Sequence, residues 1–195
     1  MSVKALLLVV DAQKAYSLDD SDLKVNHVDA ILKNINKVIS WFKDRNLPVI
    51  YTRHMHESDG SDSGRMFDFT GKNEKLQFVK GTKDVDYLDG LLKLENGIEI
   101  IKTRYSIFIK TEFDKILKEL NINKIVIVGF MTNFCCESTA RDAHDRDYFV
   151  DFIIDATGTI NLNNITQEQI KNCTSATLSE GYANVITTEE FLSNK

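Results

Sequence analysis

Short apolar runs rich in Ile, Leu and Val recur along the chain and alternate with amphipathic segments. Runs of this length without polar alternation are typical of strands buried on both faces of a parallel sheet. Strands that alternate with helices give an α/β fold, with helices on both faces of a mainly parallel sheet. The runs predict six strands, at Val3–Val10, Val49–Arg53, Ile98–Ile101, Lys124–Val128, Phe149–Ile154 and Asn184–Thr187.

The segments between these runs predict the helices that connect the strands. In the longest of them, apolar residues recur every three or four positions, which is the pattern of a helix with one face on the core. Thr132 and Asn133 are favourable N-cap residues for the helix that follows the fourth run. The predicted helices lie within Ser21–Asn46, at Thr111–Leu120, from Phe134 onward, at Thr166–Glu180 and at Thr188–Leu192.

Composition excludes several classes of protein. The 195 residues, with one proline and no repeat, predict a single domain over residues 1–195. The net charge of −5 argues against nucleic acid as a partner. The longest apolar run, Ala5–Val10, is too short to cross a membrane, and no secretory signal is evident. We therefore expect a cytoplasmic protein, whose three cysteines make a poor disulfide framework.

The stretch from Lys124 to Tyr148 reads as strand, tight turn and helix, with Cys135 in the first helical turn. A thiol at that position faces unpaired backbone N–H groups and the positive end of the helix dipole. Both favour the thiolate, which is the reactive form of cysteine. The stretch therefore predicts a nucleophile. The neighbouring Cys136 and the later Cys173 are interpreted as core residues.

Two further reactive side chains follow predicted strands. Asp11 ends the first strand and Lys102 ends the third. In open α/β sheets, ligands bind at the carboxyl ends of the strands. Asp11, Lys102 and Cys135 would supply the acid/base, the cation and the nucleophile of covalent acyl transfer. The alternative interpretation is a helix-capping aspartate, a surface lysine and an inert buried thiol.

Residues 54–90 form the least regular part of the sequence, and a loop of that length is usually a lid, a binding loop or a subunit contact. His54, His56, Asp59 and Asp62 are possible metal ligands there. A zinc site needs three or four convergent ligands, and no further His or Cys follows at a local spacing. We favour a polar surface loop over a metal site.

An ordered set of motifs resembles the isochorismatase-like cysteine hydrolase superfamily, which includes nicotinamidases and N-carbamoylsarcosine amidohydrolases. The resemblance covers nearly the whole chain, and the motif Gly-x-x-Thr-x-x-Cys is its most recognisable piece. The matching segments are Leu8–Gln13, Pro48–His54, Lys102–Phe108 with Thr111, Gly129–Cys135, Thr139–Ala140 with Asp142–Ala143, and Asp155–Ala156.

The resemblance implies a three-layer α/β/α fold with strand order 3-2-1-4-5-6. It also implies that Asp11, Lys102 and Cys135 are catalytic. A cis peptide between Phe130 and Met131 is implied, with the backbone N–H groups of Met131 and Cys135 as the oxyanion hole. The thiolate would attack a carbonyl, and water would hydrolyse the resulting thioester. A small-molecule substrate and a homo-oligomer, a dimer or larger, are expected as partners.

The chain departs from the nicotinamidase branch, which binds a metal through an aspartate two residues before a histidine. Here His54 stands at the aspartate position, His56 at the first histidine, and the second histidine is not evident. We therefore expect neither a metal nor another cofactor. Candidates to bind the substrate are Gln13, Tyr16, Arg53, Tyr105, Phe130 and Thr132. Arg53 is expected either to pair with a substrate carboxylate or to form a structural salt bridge.

Four functions remain open at this stage. The first is a metal-independent cysteine hydrolase that cleaves a C–N bond of a small amide, ureido or carbamoyl compound. The second is an isochorismate-type hydrolase that cleaves a vinyl ether without a thioester. The third is a non-catalytic binding or assembly protein that keeps the fold. The fourth is a redox role for the adjacent thiols of Cys135 and Cys136.

Overall fold

A computed structural model describes residues 3–71 and 75–193 of the protein. Residues 72–74, which belong to the long loop, lie outside the described residues. Six strands form one sheet in the order β3-β2-β1-β4-β5-β6, and every pair of neighbouring strands is parallel. The strands are β1 Ala5–Val10, β2 Val49–His54, β3 Ile98–Lys102, β4 Lys124–Phe130, β5 Phe149–Gly158 and β6 Asn184–Ile186.

Helices cover both faces of the sheet. The helices are α1 Val28–Asp44, α2 Phe113–Glu119, α3 Glu137–His144, α4 Gln167–Gly181 and α5 Thr188–Ser193. The apolar face of α1 packs with α5 on one side, and α2, α3 and α4 supply the second core on the other. The predicted three-layer α/β/α fold and its strand order are confirmed. No helix within the described ranges is both long and apolar enough to span a membrane.

The central strands are buried on both faces, as their composition predicts. Leu6 to Val10 of β1 are at most 1% exposed, and β4 is buried from Ile125 onward. Burying apolar side chains contributes about 25 cal/mol per Å² of surface removed from water, so the burial of these two strands stabilises the centre of the sheet. Gly129 lies opposite Val10 of the neighbouring strand β1, and a Cβ atom there would come within 2.0 Å of the Val10 carbonyl oxygen.

Helix beginnings differ from the sequence predictions in two places. The sequence predicts a helix that begins with Thr111 as its cap, whereas α2 begins at Phe113 with Glu112 as the N-cap. The Thr111 hydroxyl still accepts a hydrogen bond from Phe113 N at 3.3 Å. Thr132 and Asn133 lie inside a π-helical turn, Thr132–Cys136, that precedes α3. The helix predicted at Thr166–Glu180 is observed as α4, and Thr166 forms a capping box with Gln169 at its beginning.

Candidate active site

Three strands deliver the predicted reactive side chains to one edge of the sheet. Asp11 follows β1 directly, Lys102 is the last residue of β3, and Cys135 lies in the π-helical turn after β4. Their exposed fractions are 0%, 1% and 3%, so all three are withdrawn from bulk water. Asp11 has a φ of 43°, in the left-handed region that non-glycine residues seldom adopt. Backbones of this kind are often found at functional sites.

The Lys102 ammonium ion joins the other two groups. Lys102 Nζ lies 2.7 Å from Asp11 Oδ2, donates to Cys135 Sγ at 3.1 Å, and donates to the Arg104 carbonyl oxygen at 3.0 Å. Its three protons are thereby directed at three acceptors. The contact with Asp11 is a buried ion pair, and Lys102 engages one of the two lone pairs of Oδ2. That oxygen is left able to receive a proton.

Thr52, in the middle of β2, fixes the Asp11 carboxylate. Its hydroxyl donates to Asp11 Oδ1 at 2.5 Å and accepts from Asp11 N at 3.0 Å. A side chain that both donates to and accepts from the same residue determines the orientation of the whole residue. Oδ1 is therefore occupied by Thr52, and Oδ2 faces Lys102.

The electrostatics of the site differ from the sequence prediction of a ready-made thiolate. Burial raises the pKa of the Cys135 thiol to about 12, because the cost of desolvating a thiolate exceeds the attraction of the Lys102 ammonium ion. The helix-start argument is therefore wrong for the resting site. Burial would lower the pKa of Lys102, but the charges of Asp11 and Cys135 raise it above its ordinary value. The resting site combines a protonated thiol with a protonated lysine.

The turn between β4 and Cys135 contains the predicted cis peptide between Phe130 and Met131, which is confirmed. The Met131 carbonyl oxygen accepts from the backbone N–H groups of Phe134 and Cys136, so it points into the turn. The role of Met131 N and Cys135 N as an oxyanion hole stays a prediction. Cys136 is fully buried in the core, as predicted.

A cavity of about 340 Å³ opens beside the Cys135 sulfur. Tyr16, Tyr105 and Met131, three of the predicted site residues, line it. Most of the wall is apolar or aromatic, and its side-chain cation is Lys75, which pairs with Asp22 at 3.3 Å. The remaining lining residues are Leu23, His54, Met66, Phe67, Phe69, Gln77, Phe78, Phe134, Ile160 and Leu162.

The other predicted substrate-binding residues do not line this cavity. Gln13 bridges buried backbone groups, donating to the carbonyl oxygens of His54 and Val85. Arg53 forms an ion pair with Glu99 at 2.6 Å, which is the structural salt bridge of the two alternatives. Phe130 stacks beneath Tyr16, with ring centroids 4.9 Å apart. The Thr132 hydroxyl donates to the Thr157 hydroxyl at 2.9 Å.

Two predictions about burial are wrong. His54 and His56 do not lie in an exposed polar loop: His54 is the last residue of β2, and the two are 2% and 1% exposed. The backbone of His56 bonds to Phe78 and Lys80, so the returning loop covers both rings. Cys173, interpreted as a core residue, is exposed on α4.

These residues do not fit a resident metal ion. His54 Nε2 and His56 Nε2 contact each other at 2.9 Å, but Asp62 binds the other nitrogen of His56, so the described residues offer the pair no third ligand at that point. Asp11, His54 and Cys135 do converge within 4.8 Å of one another. The Lys102 ammonium ion already lies against two of those three, and a second cation there would be repelled.

Sequence reasoning missed Thr52 and Arg104, and it considered His54 only as a possible metal ligand. Thr52 and His54 are two positions apart on β2, so their side chains share one face of the sheet. A strand extended to residue 54 would have revealed that alignment. Arg104 donates to the Asp62 carbonyl oxygen at 2.9 Å and offers its own carbonyl to Lys102. No sequence pattern distinguishes it from a surface arginine.

Comparison with known proteins agrees with this geometry. The family model of the isochorismatase domain matches residues 5–190. Nicotinamidase 3 of Arabidopsis thaliana is 30% identical over 184 residues, covering 93% of this chain and 84% of the relative. Ureidoacrylate amidohydrolase RutB of Agrobacterium fabrum is also 30% identical over 184 residues, covering 85% of this chain and 81% of the relative.

A solved structure gives the same result. The crystal structure of a cysteine hydrolase from Pseudomonas syringae pv. phaseolicola 1448A superposes with a TM-score of 0.89 at 27% identity. The match covers 97% of this chain and 91% of that one. The chain belongs to the isochorismatase family, and it is a hydrolase. The resemblance read from the motifs is confirmed.

Proposed function

We propose that the protein hydrolyses a C–N bond of a small amide, ureido or carbamoyl compound through a thioester on Cys135, without a metal. The observation that carries this proposal is the position of Lys102 Nζ, 2.7 Å from Asp11 and 3.1 Å from Cys135, beside the cavity. Both relatives bear the names of enzymes that cleave amide C–N bonds, which supports this chemistry over vinyl-ether cleavage.

Acylation begins with the protonated thiol. Asp11 Oδ2, which lies 2.7 Å from the Lys102 ammonium ion, takes the proton from Cys135 Sγ as the sulfur attacks the carbonyl carbon. Lys102 stabilises the negative charge that moves from carboxylate to sulfur and then to the carbonyl oxygen. The backbone N–H groups of Met131 and Cys135 are the proposed donors to that oxyanion, where one donor contributes about 2.7–4 kcal/mol.

Collapse of the tetrahedral intermediate breaks the C–N bond. Asp11 gives its proton to the leaving nitrogen, which departs as ammonia or an amine, and the acyl group stays on sulfur. Asp11 then takes a proton from water as the water oxygen attacks the thioester carbon. The C–S bond breaks, the acid is released, and the proton on Asp11 returns to the Cys135 sulfur. Every proton is thus exchanged through one carboxylate.

The cavity supports a neutral substrate with an apolar or aromatic acyl group. Its wall is mostly apolar, Lys75 is paired with Asp22, and Arg53 is held by Glu99 outside the cavity. A substrate carboxylate would be buried there without a free cation among the described lining residues, and such burial costs several kcal/mol. We therefore place anionic substrates second to neutral amides.

The proposal is tested with a panel of small primary amides that differ in charge and in acyl group. Neutral apolar amides are expected to be turned over faster than anionic ones. Cys135→Ala is expected to lower kcat by about 10⁴-fold or more, because the nucleophile is lost. Cys136→Ala, one residue away and in the core, is the matched control and should keep kcat within a few fold. Full amidase turnover by Cys135→Ala would refute the proposal.

Metal independence has its own measurement. Since the described side chains provide no three-ligand site apart from the one that Lys102 contacts, dialysis against a chelator is expected to leave both kcat and Tm unchanged. Added Zn²⁺ is expected to inhibit if it reaches the Cys135 thiol. Loss of activity on dialysis, restored by a divalent metal, would contradict this part of the proposal.

A further inference from the structure

A chain of buried polar side chains leads away from the Cys135 sulfur. His54 Nδ1 lies 4.0 Å from Cys135 Sγ, and His54 Nε2 lies 2.9 Å from His56 Nε2. On the far side of the second ring, His56 Nδ1 lies 3.1 Å from Asp62 Oδ1. The proposed catalytic steps use neither histidine, although His54 lines the cavity.

The three contacts determine which ring nitrogen of each histidine carries the proton, starting at Asp62 and ending at Cys135. The Asp62 carboxylate can only accept, so His56 must carry its proton on Nδ1. His56 Nε2 is then bare in the neutral ring and accepts, so His54 must carry its proton on Nε2. This leaves His54 Nδ1 bare, with its lone pair directed toward the thiol and the cavity. The Asp62 carboxylate therefore determines the tautomers of both histidines.

Both rings are neutral and firmly held. Burial and the nearby Lys102 charge keep the pKa of His54 well below its usual range, and burial also lowers the pKa of His56 although Asp62 opposes that shift. His54 stacks on Phe78, with centroids 4.9 Å apart and planes 6° apart. Neither ring can rotate freely to reverse the order of donors and acceptors.

Asp62, the last of these polar side chains, is also held in place by its neighbours. Asp62 Oδ1 accepts a second hydrogen bond from Glu57 N at 3.2 Å, and the Asp62 carbonyl oxygen accepts from Arg104 at 2.9 Å. His56 meets the edge of the Phe67 ring at 5.3 Å. The carboxylate therefore keeps its place beside His56.

At the inner end, His54 Nδ1 faces the place where the reaction occurs. A carboxylate oxygen of Asp11, a ring nitrogen of His54 and the Cys135 sulfur lie within 4.8 Å of one another, so a single atom between them can contact all three. In the proposed reaction, the scissile nitrogen occupies this position during acylation, and the attacking water occupies it during hydrolysis of the thioester. Both carry hydrogens that a bare ring nitrogen can accept.

We infer that His54 Nδ1 accepts a hydrogen bond from the N–H group of the scissile amide nitrogen and later from the O–H group of the hydrolytic water. His54 is thus a catalytic residue, and His56 and Asp62 are positioning residues that hold its tautomer. No proton is transferred to His54, since Asp11 exchanges the protons. The inference rests on the proposed function, and it predicts a preference for substrates whose scissile nitrogen carries hydrogen.

The first test is the tautomer of each histidine, read from nitrogen NMR shifts of the 15N-histidine-labelled protein. The chain has four histidines, and His27 and His144 are exposed, so His27→Gln and His144→Gln assign their signals. The expected result is an Nδ1–H form for His56 and an Nε2–H form for His54, both neutral at pH 7. The reverse order, or a charged His54, would overturn the inference.

The second test compares two aspartates of the same loop. Asp62→Ala is expected to give a mixture of His54 tautomers and to lower the amide kcat about 10-fold, with KM within about two-fold. Asp59→Ala is the control, because Asp59 is exposed and its Oδ1 accepts from the nearby Ser61 N. The control should match the wild-type protein in both measurements. An unchanged tautomer and kcat in Asp62→Ala would also overturn the inference.

The NMR result separates this inference from the proposed function. The order of tautomers depends on Asp62 and not on the thiol, so Cys135→Ala should keep the wild-type pattern. If Cys135→Ala retained amidase activity while the pattern was as expected, the thioester proposal would fail and the assignment of His54 Nδ1 as an acceptor would stand. If the pattern was reversed while Cys135→Ala was inactive, the thioester proposal would stand and this inference would fail.

Discussion

At the residue scale, Thr52 determines which oxygen of Asp11 meets the thiol. Its hydroxyl occupies Asp11 Oδ1 and supports Asp11 N, in a residue whose φ is positive. Side chains that orient a reactive group contribute to catalysis through geometry, because a misplacement of about 1 Å can cost about 10²-fold in rate. Thr52 is therefore the supporting residue most directly coupled to the proposed base.

Thr52→Val keeps the shape of the side chain and removes both hydrogen bonds. We expect kcat to fall about 10- to 100-fold, because Asp11 loses its orientation. The free energy of unfolding should also fall by about 1–3 kcal/mol, since Asp11 N loses its acceptor in a buried site. Kinetics and urea unfolding measure the two effects. The control is Thr177→Val on the exposed side of α4, and equal behaviour of the two variants would contradict this account.

Asp11→Asn separates the charge of Asp11 from its role as a base. The Asp11 charge helps raise the pKa of the Cys135 thiol, which burial brings to about 12, while Lys102 lowers it. Removing the negative charge should therefore lower the pKa of Cys135, so thiolate appears at a lower pH than in the wild-type protein. The kcat should nevertheless fall by about 10²- to 10⁴-fold, because the proton acceptor is lost.

The measurement is a pH titration of thiolate ultraviolet absorbance, with Cys135→Ala subtracted as the background. Wild-type thiolate is expected only well above pH 9, because a raised pKa keeps the thiol protonated through neutral pH. A wild-type titration midpoint below pH 7 would mean that the charge of Lys102, and not burial, dominates the site. A higher midpoint in Asp11→Asn would reverse the sign assigned to Asp11.

At the element scale, the junction of β4 with the π-helical turn sets the position of Cys135. A Cβ atom added to Gly129 would lie 2.0 Å from the Val10 carbonyl oxygen, and the φ of Gly129 is +119°. The two strands that carry Asp11 and the nucleophile are thereby held at close range. The glycine is required by both the contact and the backbone conformation.

Gly129→Ala is expected to lower the free energy of unfolding by about 3 kcal/mol or more, because the added carbon meets backbone that cannot move aside. Gly181→Ala at the end of α4 is the matched control. A Cβ there meets nothing within 4 Å, so the expected change is within about 1 kcal/mol and of either sign. Urea unfolding of both variants makes the comparison, and equal stabilities would show that β1 and β4 tolerate separation.

The same junction shows why local sequence rules predicted this element incompletely. Thr132 and Asn133 are good N-cap residues, yet their side chains bond to Thr157 and Thr159 beyond the helix. Contacts with the end of β5 replace the capping bonds that sequence alone predicts. At α4, predicted to begin at Thr166, the Thr166 side chain caps the helix by local bonds with Gln169. Local propensity therefore determines how α4 begins, whereas tertiary contacts determine how the buried turn before α3 is formed.

At the scale of the whole molecule, the strand order explains why three distant residues could be predicted together. In a parallel sheet the carboxyl ends of all strands share one edge, so residues after β1, β3 and β4 converge once the order is known. The apolar runs predict the strands, and the motifs imply their order. Asp11, Lys102 and Cys135 were accessible to sequence reasoning for that reason.

The burial of His54 and His56 was not accessible in the same way. It depends on the returning loop, where His56 N donates to the Phe78 carbonyl oxygen and Lys80 N donates to that of His56. No periodicity in residues 54–90 indicates that contact, and the composition of the segment is that of a surface loop. Long-range backbone pairing of an irregular segment carries no local signal, so the chain from Cys135 to Asp62 appears only in three dimensions.

The most direct test of the account is the mass of the protein during turnover. The enzyme is quenched with acid within milliseconds to seconds of mixing with a neutral amide, and its intact mass is compared with that of free enzyme. The account predicts a gain equal to the acyl group, located on the peptide that contains Cys135, absent in Cys135→Ala and retained in Cys136→Ala. Turnover of the amide by Cys135→Ala at the wild-type rate, or an adduct on another residue, would contradict it.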